Sequence, residues 1–303
     1  MVKGYVNILF LSIANSFVVV LNKLLLTRDF NIWIVGFFNF SIAAALLFSF
    51  TLYKSGFQGI RNKESRFATL VFIGLMGFLY NASVLGGLTR STPVNASILL
   101  RADIMFSTIL AWIFLKERLF FFDFLGMGLM MFGFFLVTKA RIFGFKMHWS
   151  GDSLFLLAAI VLSINALMIK KLLSNKVPGS TIAMYNATIN AIFFAIFVWV
   201  FKQYHDLRFF EERNFLLILM LGILTGMNYI FYYGALRWLP IWLVRTSVLF
   251  IPIFTAIISY GILSEMIIQA QLYGMIFTIS GAAIIIYNQS KISKKESMCY
   301  KYF

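Results

Sequence analysis

Long apolar stretches, separated by short groups of charged or turn-forming residues, follow one another along almost the whole chain. A bilayer core about 30 Å thick requires roughly 20 apolar residues per helix. Ten stretches reach this length, and each predicts one membrane-spanning helix. Their approximate bounds are Gly4–Leu26, Ile32–Tyr53, Phe67–Leu88, Val94–Leu115, Phe120–Thr138, Gly151–Leu173, Pro178–Phe201, Asn214–Leu236, Ile241–Leu263 and Ile267–Asn288.

Composition supports an all-α integral membrane protein. Of the 303 residues, 61% are hydrophobic and only 12% are charged, too few to cover a water-soluble globule. The same balance disfavours a disordered protein and a nucleic-acid-binding protein, although the net charge is +15. A single cysteine, Cys299, excludes an intramolecular disulfide, and two histidines are too few for an intramembrane metal cluster. We therefore predict no metal and no cofactor.

The distribution of Lys and Arg predicts the orientation. With the N-terminus in the cytoplasm, fifteen of these residues fall on the cytoplasmic side and eight on the other. Because cytoplasmic loops are enriched in Lys and Arg, both termini are predicted to be cytoplasmic. The basic tail from Lys291 to Lys301 is interpreted as a topology anchor on anionic lipid, with partner binding as the alternative.

The second half of the chain repeats the first. At an offset of 147 residues, identical residues match in five places: Asn39, Asn81, Gly87, Arg90 and Pro93 match Asn186, Asn228, Gly234, Arg237 and Pro240. At an offset of 148 residues there are four more matches: Lys23, Glu117, Gly126 and Gly133 match Lys171, Glu265, Gly274 and Gly281. The halves are residues 1–150 and 151–303, the second ending in the basic tail, and each contains five predicted spans. Because five is odd, the second half enters the membrane from the opposite side. Two inverted five-helix repeats are typical of a carrier that opens a central site to either side in turn.

The repeated residues resemble a known family. The stretch Asn95–Val137 has Leu115-Lys116-Glu117-Arg118-Leu119 at the end of one span, with Gly126 and Gly133 in the next. Pro252-Ile253-Phe254-Thr255, Ser264, Glu265, Gly274 and Gly281 form a similar second copy. Both copies resemble the EamA-type repeat of the drug/metabolite transporter superfamily.

This resemblance implies ten helices, a central substrate cavity and cytoplasmic termini. Asn22-Lys23 is also similar to the triose-phosphate and nucleotide-sugar branch. The chain departs from the family pattern in one place. The proline usual in the fourth span is missing, and Arg101-Ala102-Asp103-Ile104 occupy about that position. The second copy keeps this proline as Pro252, whereas the first half lacks the residue on which the local helix break implied by the resemblance depends.

Four charged residues fall within predicted spans: Lys23, Arg101, Asp103 and Arg245. A charged side chain in a span costs roughly 2.5–3.5 kcal/mol on insertion scales, so each marks a candidate functional site. Lys23 lies near the end of its span and is interpreted as an interfacial anchor or an ion-pair partner.

Arg101 and Arg245 are predicted to bind an anionic group of the substrate, because guanidinium groups suit bidentate capture of carboxylate or phosphate. The alternative is a structural ion pair. Residues two apart on a helix point about 200° apart, so Asp103 does not face Arg101. Asp103 therefore either pairs with another helix, through Lys23 or Arg245, or is a protonatable coupling site.

Uncharged polar residues complete the candidate site. The predicted substrate contacts are Tyr80, Asn81, Asn186, Asn228, Tyr229 and Tyr232. Hydrogen bonds between helices are the equally weighted alternative for the asparagines. Glu117 and Glu265 are interpreted as gate or scaffold contacts because they occupy equivalent positions at span ends.

The sequence thus predicts a secondary active transporter, not an enzyme, that moves a small polar metabolite with an anionic group by alternating access, through exchange or proton coupling. The alternatives are an exporter of amino acids or other metabolites, and a non-transporting membrane scaffold or sensor. The expected location is the cell (inner) membrane, with an organelle membrane as the alternative. The expected partners are the small-molecule substrate and the lipid bilayer, with no nucleic acid, and the expected assembly is a monomer or homodimer.

Overall fold

The structure is a computed structural model that describes residues 2–26, 31–60, 64–88, 90, 99–137, 149–202, 212–263 and 269–299. Within these ranges the regular elements are helices and no strand occurs. The side chain of Lys23, and the residues Asn95, Ser264 and Glu265, lie outside what is described.

Eleven α-helices make up the described part of the chain. They are α1 (Val2–Leu26), α2 (Ile32–Ile60), α3 (Glu64–Leu88), α4 (Ala102–Leu115), α5 (Phe121–Val137), α6 (Trp149–Ser174), α7 (Gly179–Val200), α8 (Glu212–Trp238), α9 (Ile241–Ser247), α10 (Ile251–Leu263) and α11 (Gln269–Cys299). Each overlaps a predicted span, with α9 and α10 together covering the ninth.

Seven candidate spans are long and apolar enough to cross a membrane, the seventh formed by α9 and α10 together, and three further apolar helices are shorter. The shorter ones are Ala102–Leu115, Phe121–Leu136 and Leu272–Asn288. They correspond to the predicted fourth, fifth and tenth spans, and the sequence just before the first of them, at 91–98, is outside the described residues. The prediction of an all-α membrane protein is confirmed.

The ninth span is broken beside Pro252. A 3-10 turn, Val248–Phe250, separates α9 from α10, and Pro252 is the second residue of α10. Proline has no backbone N–H to donate to the carbonyl four residues earlier, so the α-helical hydrogen-bond pattern cannot continue through Val248. The break leaves α9 as a separate short helix whose seven residues are all buried.

Helices α5 and α11, which are equivalent in the two repeats, pack closely and antiparallel. A Cβ added to Gly281 would meet the Gly126 carbonyl at 2.5 Å, and one added to Gly133 would meet the Gly274 carbonyl at 2.5 Å. The sequence repeat exchanges these two contacts, because it equates Gly126 with Gly274 and Gly133 with Gly281. Equivalent helices that run in opposite directions are what an inverted repeat requires.

Other contacts follow the same exchange. Helix α1 packs on α8, and its equivalent α6 packs on α3, the equivalent of α8. Helix α2 packs on α8, and the equivalent pair α7 and α3 is also in contact. The repeats are therefore interleaved, and the interior of the bundle is built from both halves of the chain.

The glycine contact between α5 and α11 gives a matched stability test. Gly133→Ala is expected to destabilise the fold by about 1–3 kcal/mol, since the new methyl group meets backbone atoms of α11 that cannot rotate away. Gly128→Ala on the same helix is the control, because an added Cβ there has nothing within 4 Å. Thermal unfolding in detergent measures both variants, and equal melting temperatures would contradict the packing role of Gly133.

Candidate substrate site

Helices α4 and α9 bring two of the predicted intramembrane charges together. The Nη2 group of Arg245 donates a hydrogen bond to Oδ2 of Asp103, and the two residues are 5% and 0% exposed. Asp103 lies in the first turn of α4, and Ser163 of α6 donates to its backbone carbonyl at 3.0 Å. Of the alternatives for Asp103, the structure therefore gives a pairing with another helix, and this pair joins the two repeats.

Arg101 points elsewhere, as expected for residues two apart at a helix start. Its guanidinium carbon lies 5.7 Å from the ring centroid of Phe134, on α5. Its Nε atom is buried and has no hydrogen-bond partner, and no acidic side chain of the described residues is paired with it. Arg101 and Arg245 are close enough to repel one another. Asp103 is paired with Arg245 alone, so the cluster of two guanidinium groups and one carboxylate carries one excess positive charge among the described residues.

Tyr232 of α8 contacts Arg245, and Tyr80 of α3 lies near both arginines. The Tyr232 ring lies 5.9 Å from the Arg245 guanidinium, whose Nη1 donates to the Tyr232 hydroxyl at 3.5 Å. Tyr80 lies within electrostatic range of both arginines and of Tyr229 and Tyr232. Five of the eight residues predicted to bind the substrate thus lie in one cluster with Asp103: Arg101, Arg245, Tyr80, Tyr229 and Tyr232. Their rings and hydroxyl groups provide stacking surfaces and hydrogen-bond partners beside the excess charge.

The asparagines form a hydrogen-bonded chain across three helices. Asn81 of α3 donates to Asn190 of α7 at 3.0 Å, and Asn190 donates to Asn186 at 2.8 Å. Asn186 in turn donates to the Tyr233 hydroxyl at 2.8 Å, and the Tyr233 ring contacts the rings of Tyr229 and Tyr232 in tilted arrangements, with centroids 5.7 and 5.5 Å away. Asn81 and Asn186 therefore make the interhelical bonds that the sequence left open as an alternative.

Asn190 and Tyr233 were absent from the predicted set of substrate contacts. A signal for them exists in the sequence, since Asn186 and Asn190, like Tyr229 and Tyr233, are four residues apart and so share a helix face. Asn228, in contrast, keeps a buried Oδ1 atom without a hydrogen-bond partner among the described residues, as does Thr225 at its Oγ1. Lys23 cannot be placed in or out of the site because its side chain lies outside the described part.

A second polar junction lies where α8 turns into α9. Both carboxylate oxygens of Glu117 lie 3.0 Å from the backbone nitrogen of Ile241, the first residue of α9. Lys170 of α6 donates from Nζ to the carbonyls of Leu236 and Leu239, at 2.6 Å each. Burial raises the pKa of the Glu117 carboxyl, and the Ile241 N–H and Lys170 oppose that rise. The sequence predicts a gate or scaffold contact for Glu117, whereas Lys170 contributes there only to the predicted orientation of the chain in the membrane.

An apolar cavity of about 230 Å³ lies among α1, α5, α9 and α11, and the arginines do not line it. Besides Tyr5, its lining has three hydroxyl-bearing residues, Ser12, Thr246 and Ser247, and each donates to a carbonyl of its own helix. This cavity has little to offer a polar solute. Among the described residues, no group of three acidic, histidine or cysteine side chains could hold a metal.

Fold and site together define a polytopic membrane protein of two interleaved repeats with charged groups in its interior. The model of the EamA-like transporter family matches the chain twice, over residues 2–139 and 149–287. The chain belongs to the EamA-like transporter family, whose members are membrane transporters of small molecules.

A protein of known crystal structure has the same fold. The chain is 16% identical to it with a TM-score of 0.78, and the match covers 96% of this chain and 97% of the other. No curated protein matches the chain.

Proposed function

We propose that this protein is a secondary active transporter of a small polar metabolite with an anionic group, which binds at Arg101 and Arg245. The observation that carries the proposal is the charge balance of the cluster. Arg101 has no acidic partner among the described residues, its Nε is buried without a hydrogen bond, and Asp103 neutralises only Arg245. A buried guanidinium without a counter-charge is costly, and an anionic ligand offsets that cost.

The surrounding polar groups fit a small organic molecule. Tyr80, Tyr229 and Tyr232 provide hydroxyl groups and ring faces, and Asn228 provides an unpaired carbonyl oxygen. In this proposal Asn81 and Asn186 hold the tyrosines through Asn190 and Tyr233. Asp103 releases Arg245 when the substrate anion arrives, which couples binding to a change in the contact between the repeats.

Alternating access is the proposed mechanism. The antiparallel contact between α5 and α11 supports it, because inverted repeats can exchange conformations around a fixed central site. The proposed setting is the cell membrane with both termini cytoplasmic, which follows the distribution of Lys and Arg. Exchange and proton coupling both fit the Asp103–Arg245 pair.

A specific observation also favours a zwitterionic substrate such as an amino acid. Asp103 Oδ1 is buried and has no partner among the described residues. A substrate carboxylate at Arg101 and a substrate ammonium group at Asp103 Oδ1 would satisfy both groups. Export of amino acids is therefore the second candidate function.

The test is thermal stabilisation of the purified protein by separate panels of phosphorylated metabolites, carboxylates, amino acids and organic cations. A ligand at 100 times its dissociation constant adds about 2.7 kcal/mol, which shifts the melting curve measurably. We expect organic anions to stabilise the protein. Stabilisation by amino acids alone would favour the second candidate, and stabilisation by cations alone would overturn the anion proposal.

Simple salts at matched ionic strength are the control, because added charge screens the repulsion between the two arginines without any specific binding. Stabilisation by an organic anion has to exceed that by chloride. Each hit is then tested in proteoliposomes with and without a pH gradient. A gradient requirement that disappears in Asp103→Asn would assign proton coupling to Asp103.

A further inference from the structure

We propose that Glu117 and Lys170 are positioning residues, which together fasten the corner between α8 and α9, hold Arg245 at the substrate site and keep that end of the bundle closed. The proposal rests on the proposed alternating access. Glu117, Lys170 and the backbone groups of Leu236, Leu239 and Ile241 that they bind form a corner latch.

The corner latch binds backbone groups that a helix pair leaves without partners. The last carbonyls of a helix and the first N–H groups of the next have no bonds within their own helices. Lys170 donates hydrogen bonds to the carbonyls of Leu236, in the last turn of α8, and of Leu239, just after it. Glu117 accepts a hydrogen bond from the N–H of Ile241 at the start of α9. Each charge has the sign that the helix end favours, a cation at the C-terminus and an anion at the N-terminus.

Arg245 is directly linked to this corner. It lies four residues after Ile241, one helical turn further along α9, so an anchor at Ile241 fixes the position of its backbone. Helix α9 has only seven residues and ends in a 3-10 turn, so it has few internal hydrogen bonds of its own. Its orientation therefore depends on contacts with neighbouring helices, which include the bond at its first residue and the Arg245–Asp103 pair.

The corner latch also crosses between the repeats. Glu117 belongs to the first repeat and Ile241 to the second, and Lys170 comes from another helix of the second. The segment that the corner latch binds is buried, since Leu239, Ile241 and Val244 are 1%, 1% and 0% exposed. Opening this end by moving one repeat against the other has to break the bond between Glu117 and Ile241.

The test measures the accessibility of α9 with a cysteine probe. Cys299 is replaced by serine and Val244 by cysteine, and the rate of reaction with a small maleimide is measured in detergent, where both ends of the bundle are reachable. Glu117→Gln is expected to raise the labelling rate about tenfold, because a charge-assisted hydrogen bond that favours the closed state is weakened. An unchanged labelling rate would overturn the proposal.

Asp123→Asn is the matched control. Asp123 is also a buried carboxylate: it accepts the backbone N–H of Phe120 at 3.0 Å and the side-chain amide of Asn288, on α11, at 3.0 Å. Its substitution should leave labelling at position 244 unchanged. A second cysteine at Ala187, buried in α7, reports general loosening, and it should stay unreactive in Glu117→Gln. Increased labelling at both positions would assign Glu117 a merely structural role and contradict the proposal.

Lys170 allows a rescue experiment. Lys170→Met removes both carbonyl bonds and should raise labelling at position 244, whereas Lys170→Arg keeps a cation with several donors and should restore slow labelling. If Lys170→Arg were labelled as fast as Lys170→Met, the role of the cation would be contradicted. Labelling needs no substrate, so these outcomes are independent of whether an organic anion binds at Arg101.

Discussion

Asp103→Ala is expected to destabilise the folded protein by about 3–5 kcal/mol, because removal of one partner leaves a buried charge without compensation. Arg245 is 5% exposed, and Arg101 already repels it, so the loss of Asp103 leaves two unneutralised cations in the interior. Unfolding in denaturing detergent, followed by circular dichroism, measures the effect.

A double variant separates the ion pair from packing. Asp103→Leu with Arg245→Met replaces both charges by apolar groups, and replacement of a buried pair in this way is often neutral or stabilising. We expect the double variant to recover most of the lost stability but to remain inactive in transport. If Asp103→Ala were as stable as the natural protein, or if the double variant were less stable than Asp103→Ala, the pair would not hold the repeats together as described.

The number and order of the helices could be predicted from the sequence because each depends on local information. Apolar length predicts a span, the match of Gly126 and Gly133 with Gly274 and Gly281 predicts a repeat, and the odd number of spans in each half predicts its inversion. The structure places these glycines in antiparallel contact because only a residue without a side chain permits such close approach of two backbones. The break beside Pro252 was also predictable, since the missing N–H is a property of that residue alone.

The partners within the site could not be predicted in the same way. Asp103, Arg101 and Arg245 were candidates because charge is rare in spans, but the choice of Arg245 as the partner of Asp103 depends on how α4 and α9 approach each other. The contacts of Lys170 could not be predicted either, because its hydrogen bonds go to backbone carbonyls, which every residue has and which give no sequence signal. Similarly, the sequence did not indicate that Asn190 connects Asn81 to Asn186, because that depends on the contact between α3 and α7.

Arg101→Gln is expected to weaken binding of the organic anion about 100-fold, while the protein remains folded. A hydrogen bond to a charged group contributes about 1.5–3 kcal/mol, and about 1.4 kcal/mol corresponds to a tenfold change in the dissociation constant. Glutamine is shorter and uncharged, so both the charge and the fork of donors disappear. Folding should be little affected, because Arg101 is not paired with an acidic side chain of the described residues.

Titration calorimetry with the best organic anion from the ligand panel measures this change, and two variants make it specific. Arg101→Lys retains the charge without the planar fork and should lie between the natural protein and Arg101→Gln. Arg90→Gln removes the same charge from an exposed position and should bind the anion as the natural protein does. Equal weakening by Arg90→Gln and Arg101→Gln would mean that net charge alone attracts the anion, whereas unchanged affinity in Arg101→Gln would remove this arginine from the site. An effect confined to Arg101 would support the proposal that the bound organic anion supplies the counter-charge that this buried arginine lacks among the described residues.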